Sequence, residues 1–141
     1  MIIDSGSSYL MLQNKLYDYI IDSLNKINPK FVEFIDKFNQ AQKAGKPFIS
    51  TELNLSEWPD LFFTFEGVND EPVTLCCKPD HYWQINAGMP NRVFFTILQQ
   101  ISGWPDQTVF GLPLISSYLC IFDRSTGPDG IIKFSKKVKQ S

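Results

Sequence analysis

Histidine is nearly absent from this sequence, cysteine is scarce, and long apolar runs are missing, and each shortage removes a class of function. His81 is the only histidine, so a Ser-His-Asp or Cys-His centre would rest wholly on it. It falls in Pro79-Asp80-His81-Tyr82, a turn-like stretch in which an ordinary surface histidine is the plain reading. Cys76, Cys77 and Cys120 are odd in number, with two adjacent, which gives neither a disulfide framework nor a zinc spacing. One bridge from Cys120 to Cys76 or Cys77 stays open, and buried free thiols are the favoured reading. No run approaches the roughly 20 apolar residues that cross a bilayer, and Met1-Ile2-Ile3-Asp4 lacks the charged and apolar regions of a secretory leader. A formal net charge of -2 and a pI near 5.3 provide no broad basic surface, so neither nucleic acid nor a membrane is expected as a partner.

What is present is enough for a core. With 141 residues, 43% of them hydrophobic and 20% charged, residues 1–141 read as one globular domain. Leu12, Leu16, Tyr19, Ile20, Leu24 and Ile27 recur at helical spacing, which predicts a helix from Gln13 to about Asn25. Pro29 interrupts it, and Phe31, Phe34, Ile35 and Phe38 then mark one face of a second helix that fades towards Gly45. Core packing is the expected role of that face. From Phe48 the pattern changes to short β runs: Leu61–Phe65, Val73–Cys77, Val93–Leu98, Tyr118–Phe122 and Ile131–Phe134, separated by Pro, Gly, Asn and Asp. The expected class is therefore mostly β with inserted helices. The basic cluster Lys136-Lys137-Val138-Lys139 reads as a solvated chain end.

The segment that carries chemistry is Ile2-Ile3-Asp4-Ser5-Gly6-Ser7-Ser8. An apolar strand end delivers a carboxylate into a turn that contains glycine and is flanked by hydroxyls. Such a turn can hold the carboxylate rigidly through amides and hydroxyls. Alone the triplet is weak, because ordinary residue usage produces Asp-[Ser/Thr]-Gly in on the order of 5% of chains this long. An Asx-type turn after a strand is the bland alternative. The segments further along the chain decide between them.

Those segments, in order, are Trp58-Pro59-Asp60-Leu61-Phe62-Phe63-Thr64-Phe65 with Gly67, then Pro79 with Tyr82, then Val109-Phe110-Gly111. Ser117-Tyr118-Leu119-Cys120-Ile121-Phe122-Asp123-Arg124 and Gly130-Ile131-Ile132-Lys133-Phe134 close the series. Together with the Asp4 motif they resemble the pepsin-like aspartic proteases over nearly the whole chain. In that family the first segment is the second active-site motif, and Val109-Phe110-Gly111 is the strand that crosses beneath the catalytic loop. The sequence departs from the family in having Leu112 where an aspartate follows the glycine. It also lacks a cysteine near Thr51 for the disulfide common in this lobe, and its helical stretch 26–45 reads as an insertion.

The resemblance implies the C-terminal lobe of an acid-protease β-barrel fold, incomplete because the likeness begins at the active-site motif itself. It implies aspartic endopeptidase chemistry on a peptide or protein substrate, with no cofactor and no metal, in a lysosomal, vacuolar or secretory setting. Asp4 is the implied catalytic residue, Gly6, Ser7 and Val109 the substrate contacts, and Ser5 and Gly111 the support of the site, with Ser7 also bracing the carboxylate. The chemistry needs two aspartates that share a proton around one water. No second Asp-[Ser/Thr]-Gly occurs, since Asp123 precedes Arg124 and Asp129 precedes Gly130 directly. The partner aspartate is therefore expected from a preceding N-terminal lobe or from a second copy of the chain. The remaining alternative is an inactive relative that binds peptides or has no role.

Overall fold

The computed structural model describes residues 1–137, so Val138 and Lys139 of the basic cluster lie outside the described residues. Two strands, β1 (Ile2–Ile3) and β2 (Leu10–Leu12), flank the Asp4 turn. They lead into helices α1 (Asn14–Ile27) and α2 (Pro29–Lys43). Next come β3 (Leu61–Glu66), β4 (Pro72–Cys77), a single helical turn α3 (Pro79–Tyr82), β5 (Trp83–Ile85), β6 (Val93–Phe95) and β7 (Ile97–Gln99). The chain ends in β8 (Val109–Phe110), the short turn α4 (Leu112–Ile115), β9 (Tyr118–Asp123) and β10 (Ile131–Lys136).

Helix and strand take nearly equal shares, so the chain is a mixed α and β protein, which agrees in part with the expected mostly β class with inserted helices. The reason is the length of the two helices against strands of two to six residues. The strands form one four-stranded sheet in the order β1-β8-β2-β7 and three two-stranded pairs, β3-β4, β5-β6 and β9-β10, and no closed barrel forms among the described residues. No described helix is long and apolar enough to cross a membrane.

Pro29 divides the helices without cost, because it occupies the first turn of α2, where its missing amide is not needed. Asn28 caps α2 by accepting from the Lys30 amide at 3.1 Å. Leu12 belongs to β2 rather than to the helix whose spacing it shares; α1 starts two residues later, after Gln13 donates its amide to Thr108 Oγ1 at 3.1 Å.

The apolar face of α2 packs into an aromatic core. Phe31 stacks on Trp58 with centroids 4.4 Å apart, Phe34 and Phe38 meet Trp83 edge-on, and Trp83 lies 4.6 Å from Phe95. Each large side chain fully buried here contributes on the order of 2 kcal/mol of burial. Phe38, Trp83 and Phe95 are essentially inaccessible, so this layer anchors the helices to β5 and β6.

The run Val93–Leu98 is not one strand. It breaks at the buried Thr96, whose amide donates to the Tyr82 carbonyl at 2.9 Å while its own carbonyl accepts from the Leu10 amide at 2.9 Å. The chain thereby leaves the β5-β6 pair and joins β2. All three cysteines are free thiols: Cys77 is buried with Sγ 3.1 Å from the Pro113 carbonyl, whereas Cys76 and Cys120 are only half-buried.

Candidate functional site

β1 and β2 are joined by the six-residue turn Asp4–Tyr9, yet they do not pair with each other. β8 lies between them, parallel to β1 (Ile2 beside Val109, Ile3 beside Phe110) and antiparallel to β2 (Leu10 beside Phe110). The later strand thus threads through the opening of the earlier turn. Asp4 donates its amide to the Phe110 carbonyl at 3.0 Å, which fixes the residue at the end of this ladder.

The glycine after Val109 and Phe110 is demanded by the crossing. A Cβ on Gly111 would lie 2.4 Å from both the Ser7 and the Tyr9 carbonyl oxygens, far inside contact distance. With no side chain there, Gly111 donates its amide to the Tyr9 carbonyl at 3.1 Å, and Leu112 donates to the Ser7 carbonyl at 2.8 Å. The Asp4 turn is therefore clamped on its lower side by backbone alone.

Within the turn, the Gly6 amide donates to Asp4 Oδ1 at 2.8 Å, and the Ser7 amide donates to the Asp4 carbonyl at 3.2 Å. Gly6 sits against the carboxylate, for an added Cβ would meet Oδ1 at 3.1 Å. Ser7 braces the loop and not the acid: its hydroxyl donates to the Tyr9 carbonyl at 3.1 Å and accepts the Tyr9 amide at 3.3 Å. No described side chain donates to Asp4, the Ser5 hydroxyl included, so support of the carboxylate comes from an amide and not from either serine. Asp4, Ser5 and Gly6 are exposed, while Val109 is half-buried on the crossing strand.

A comparison with protein-family models finds no match, and neither does one with curated proteins.

The other candidate groups are excluded by their surroundings. Asp123 accepts from the Ser125 hydroxyl at 2.6 Å and amide at 3.0 Å, from Lys133 Nζ at 3.0 Å and from the Thr126 hydroxyl at 3.1 Å. The Ser125 hydroxyl first, then the Lys133 ammonium, hold this carboxyl well below the ordinary carboxylate range. It is an occupied structural acid. His81 is half-buried rather than fully at the surface, with the Ser117 hydroxyl 3.3 Å from Nδ1 and 3.5 Å from Nε2, and Asp80 3.9 Å from Nε2. A hydroxyl nearly equidistant from both nitrogens lines up with neither in-plane lone pair, which is not the aligned bond that activates a serine nucleophile. Among the described residues, no group of three or more His, Cys, Asp or Glu side chains is placed to hold a metal ion.

The resembling segments also meet one another in space. The Tyr82 hydroxyl donates to the Pro59 carbonyl at 2.6 Å, the Cys76 amide donates to the Tyr118 hydroxyl at 2.7 Å, and Phe110 packs against Phe63 and Phe65 with centroids 5.3 and 5.0 Å away. Thr108 is a residue that sequence reasoning missed. Its carbonyl accepts from the Ile2 amide at 2.8 Å and its hydroxyl from Gln13, so it ties both ends of the motif to the crossing strand. A lone threonine carries no sequence signal for this.

Proposed function

We propose that the chain is one half of a pepsin-like aspartic endopeptidase and contributes Asp4 to a catalytic carboxylate pair. The observation that carries the reading is the Asp4 turn threaded by β8 and closed on Gly111. It presents an exposed carboxylate whose position is set by backbone and whose Oδ2 has no donor among the described residues. In the proposed reaction that oxygen holds one side of a water shared with a second aspartate. The pair binds a single proton; the ionised member takes a proton from the water while the protonated member donates to the scissile carbonyl oxygen. Two close carboxylates titrate as a unit, so activity is expected at acidic pH.

The second carboxylate comes from a lobe encoded upstream. Leu119 and Ile121, at alternate positions on one face of β9, are both solvent-facing and support such a larger assembly. Substrate is held in extended form against Gly6, Ser7 and Val109.

Two measurements test the reading together. The complete transcript is expected to encode a second Asp-[Ser/Thr]-Gly, and its product to cleave an unfolded protein at acidic pH. Asp4→Asn is expected to lower that kcat/KM by about 100-fold or more, the scale of a lost acid–base group. Peptidase activity that survives Asp4→Asn undiminished would sink the proposal. So would a full-length transcript without the second motif, provided the chain also stays monomeric by sedimentation at tens of micromolar.

A further inference from the structure

We infer that the outer edge of β3, together with the flank of α1, is a docking site for an extended peptide that adds as a third strand to the β3-β4 pair. The parity of the ladder establishes which backbone groups face outwards. In an antiparallel pair, residues whose amide and carbonyl point at the partner strand alternate with residues whose groups point away. The Cys76 amide donates to the Tyr118 hydroxyl, so it points away from β3, and Phe62, its opposite number, points away on the other side. Thr64 and Thr74 share this parity, and their hydroxyls meet at 2.9 Å, as side chains do in the closer, non-hydrogen-bonded pairs. Phe62, Thr64 and Glu66 are all exposed, and among the described residues no backbone hydrogen bond reaches their amides or carbonyls.

A free edge alone would be a hazard. Here its Phe62 end borders a groove of about 270 Å³ whose far wall is the α1 stripe Leu16, Tyr19, Ile20, Leu24 and Ile27. That stripe is wider than the core requires: Tyr19 is 70% and Ile27 61% exposed, and across the groove Phe62 is 67% exposed. Asp60, next to the start of β3, is the only charged residue of the lining; its Oδ2 accepts from Cys76 Sγ at 3.6 Å and it makes no ion pair among the described residues. Backbone donors and acceptors at every second residue select an extended strand. The apolar wall selects β-branched or aliphatic side chains at alternate positions, and Asp60 selects Lys or Arg at the end beside it. The occupant is thus an extended segment of another protein with a basic end, and the site is independent of the Asp4 turn.

The probe is a fluorescein-labelled Lys-Val-Thr-Val-Thr-Val-Thr peptide, titrated by anisotropy with the protein up to about 1 mM, the weak limit of a specific complex. Methylating the peptide nitrogens in one alternate register is expected to weaken binding about tenfold, the worth of one to two backbone hydrogen bonds, and in the other register to leave it unchanged. Thr64→Pro, which removes an outward amide, and Ile27→Glu are each expected to weaken binding by about the same factor. Asp60→Lys is expected to reverse the preference from a Lys-ended to a Glu-ended peptide. Asp4→Asn is expected to leave binding unchanged, which separates this site from the catalytic reading. Equal effects of the two methylation registers, or no binding at the highest concentration, would overturn the inference even if Thr64→Pro failed to fold. A homodimer that Thr64→Pro dissociates would also overturn it, because the edge would then belong to a second copy.

Discussion

Asp4 and Asp123 both end a strand and both accept a bond from an amide two residues on, yet the chain treats them in opposite ways. Asp123 is surrounded by its own hairpin: two hydroxyls and an amide of the loop and the Lys133 ammonium of β10 occupy its oxygens. Asp4 receives one amide, and the hydroxyl of Ser7 is turned to the Tyr9 backbone instead. The first arrangement closes a hairpin and leaves nothing for a ligand. The second fixes where a carboxylate sits while leaving it chemically free, and the fixing is done from beneath, by β8 and Gly111. A carboxylate that holds structure and one that is held by structure are distinguished here by where their partners come from.

The sharpest way to break the contrast is Gly111→Ala. Its Cβ would collide with two main-chain carbonyls that cannot move independently, because both belong to the clamp around the Asp4 turn. A loss of about 3 kcal/mol is expected from urea unfolding, the range of overpacked buried sites. A loss under about 0.5 kcal/mol, the level of an unremarkable surface change, would mean that the threaded crossing does not hold the turn.

Asp123→Asn is expected to have a smaller effect, and its pH dependence has a definite sign. The folded-state pKa of Asp123 lies below the ordinary unfolded value of about 3.9, so folding favours the charged form. Its contribution is complete above about pH 5 and fades as pH falls below about 4 towards the folded value. The melting temperature of Asp123→Asn should therefore lie below that of the parent by a constant margin from pH 5 to 8, and the two should converge at lower pH. Asp4→Asn, which removes a single amide partner where Asp123→Asn disturbs two hydroxyls, an amide and an ammonium, is expected to lower the melting temperature at pH 7 by less. An equal loss for both substitutions would erase the distinction between the two acids.

Much of this architecture is legible in the sequence where a repeating pattern is long enough to see. α1 and α2 follow from their apolar stripes, and β3, β4, β9 and β10 from runs of Phe, Val, Leu and Ile. The threaded crossing is not legible from pattern, because β1 and β8 have two residues each and β2 three, and no period exists over such lengths. Leu12 shows the ambiguity directly: it fits the helical spacing of Leu16 and Tyr19 but is drawn into β2 by pairing with β7. Thr96 is invisible for another reason. One β-forming run serves two sheets, and the switch lies in where a single amide and carbonyl are directed. Asp4, Gly6 and Gly111 stand out in the sequence only through the ordered series of segments to which they belong, whereas the expectation that Ser7 braces the acid requires knowing that Tyr9 competes for its hydroxyl.

The smallest and most diagnostic change is Gly6→Ala. The backbone at Gly6 lies outside the left-handed region, so alanine meets no conformational barrier there, and its new Cβ would sit 3.1 Å from Asp4 Oδ1. Lower backbone entropy in the unfolded chain favours the variant by about 0.5 kcal/mol, and a weakened Gly6 amide bond to the carboxylate opposes it by about 1 kcal/mol. Stability by urea unfolding should thus change by no more than about 0.5 kcal/mol, within the range of surface substitutions. The carboxylate itself must shift by a few tenths of an ångström, and catalysis is sensitive to displacements of that kind. Loss of peptidase activity at unchanged stability would mark Asp4 as a group whose placement serves chemistry. Loss of stability on the scale of Gly111→Ala would instead make the Asp4 turn a structural one, of the same kind as the turn at Asp123.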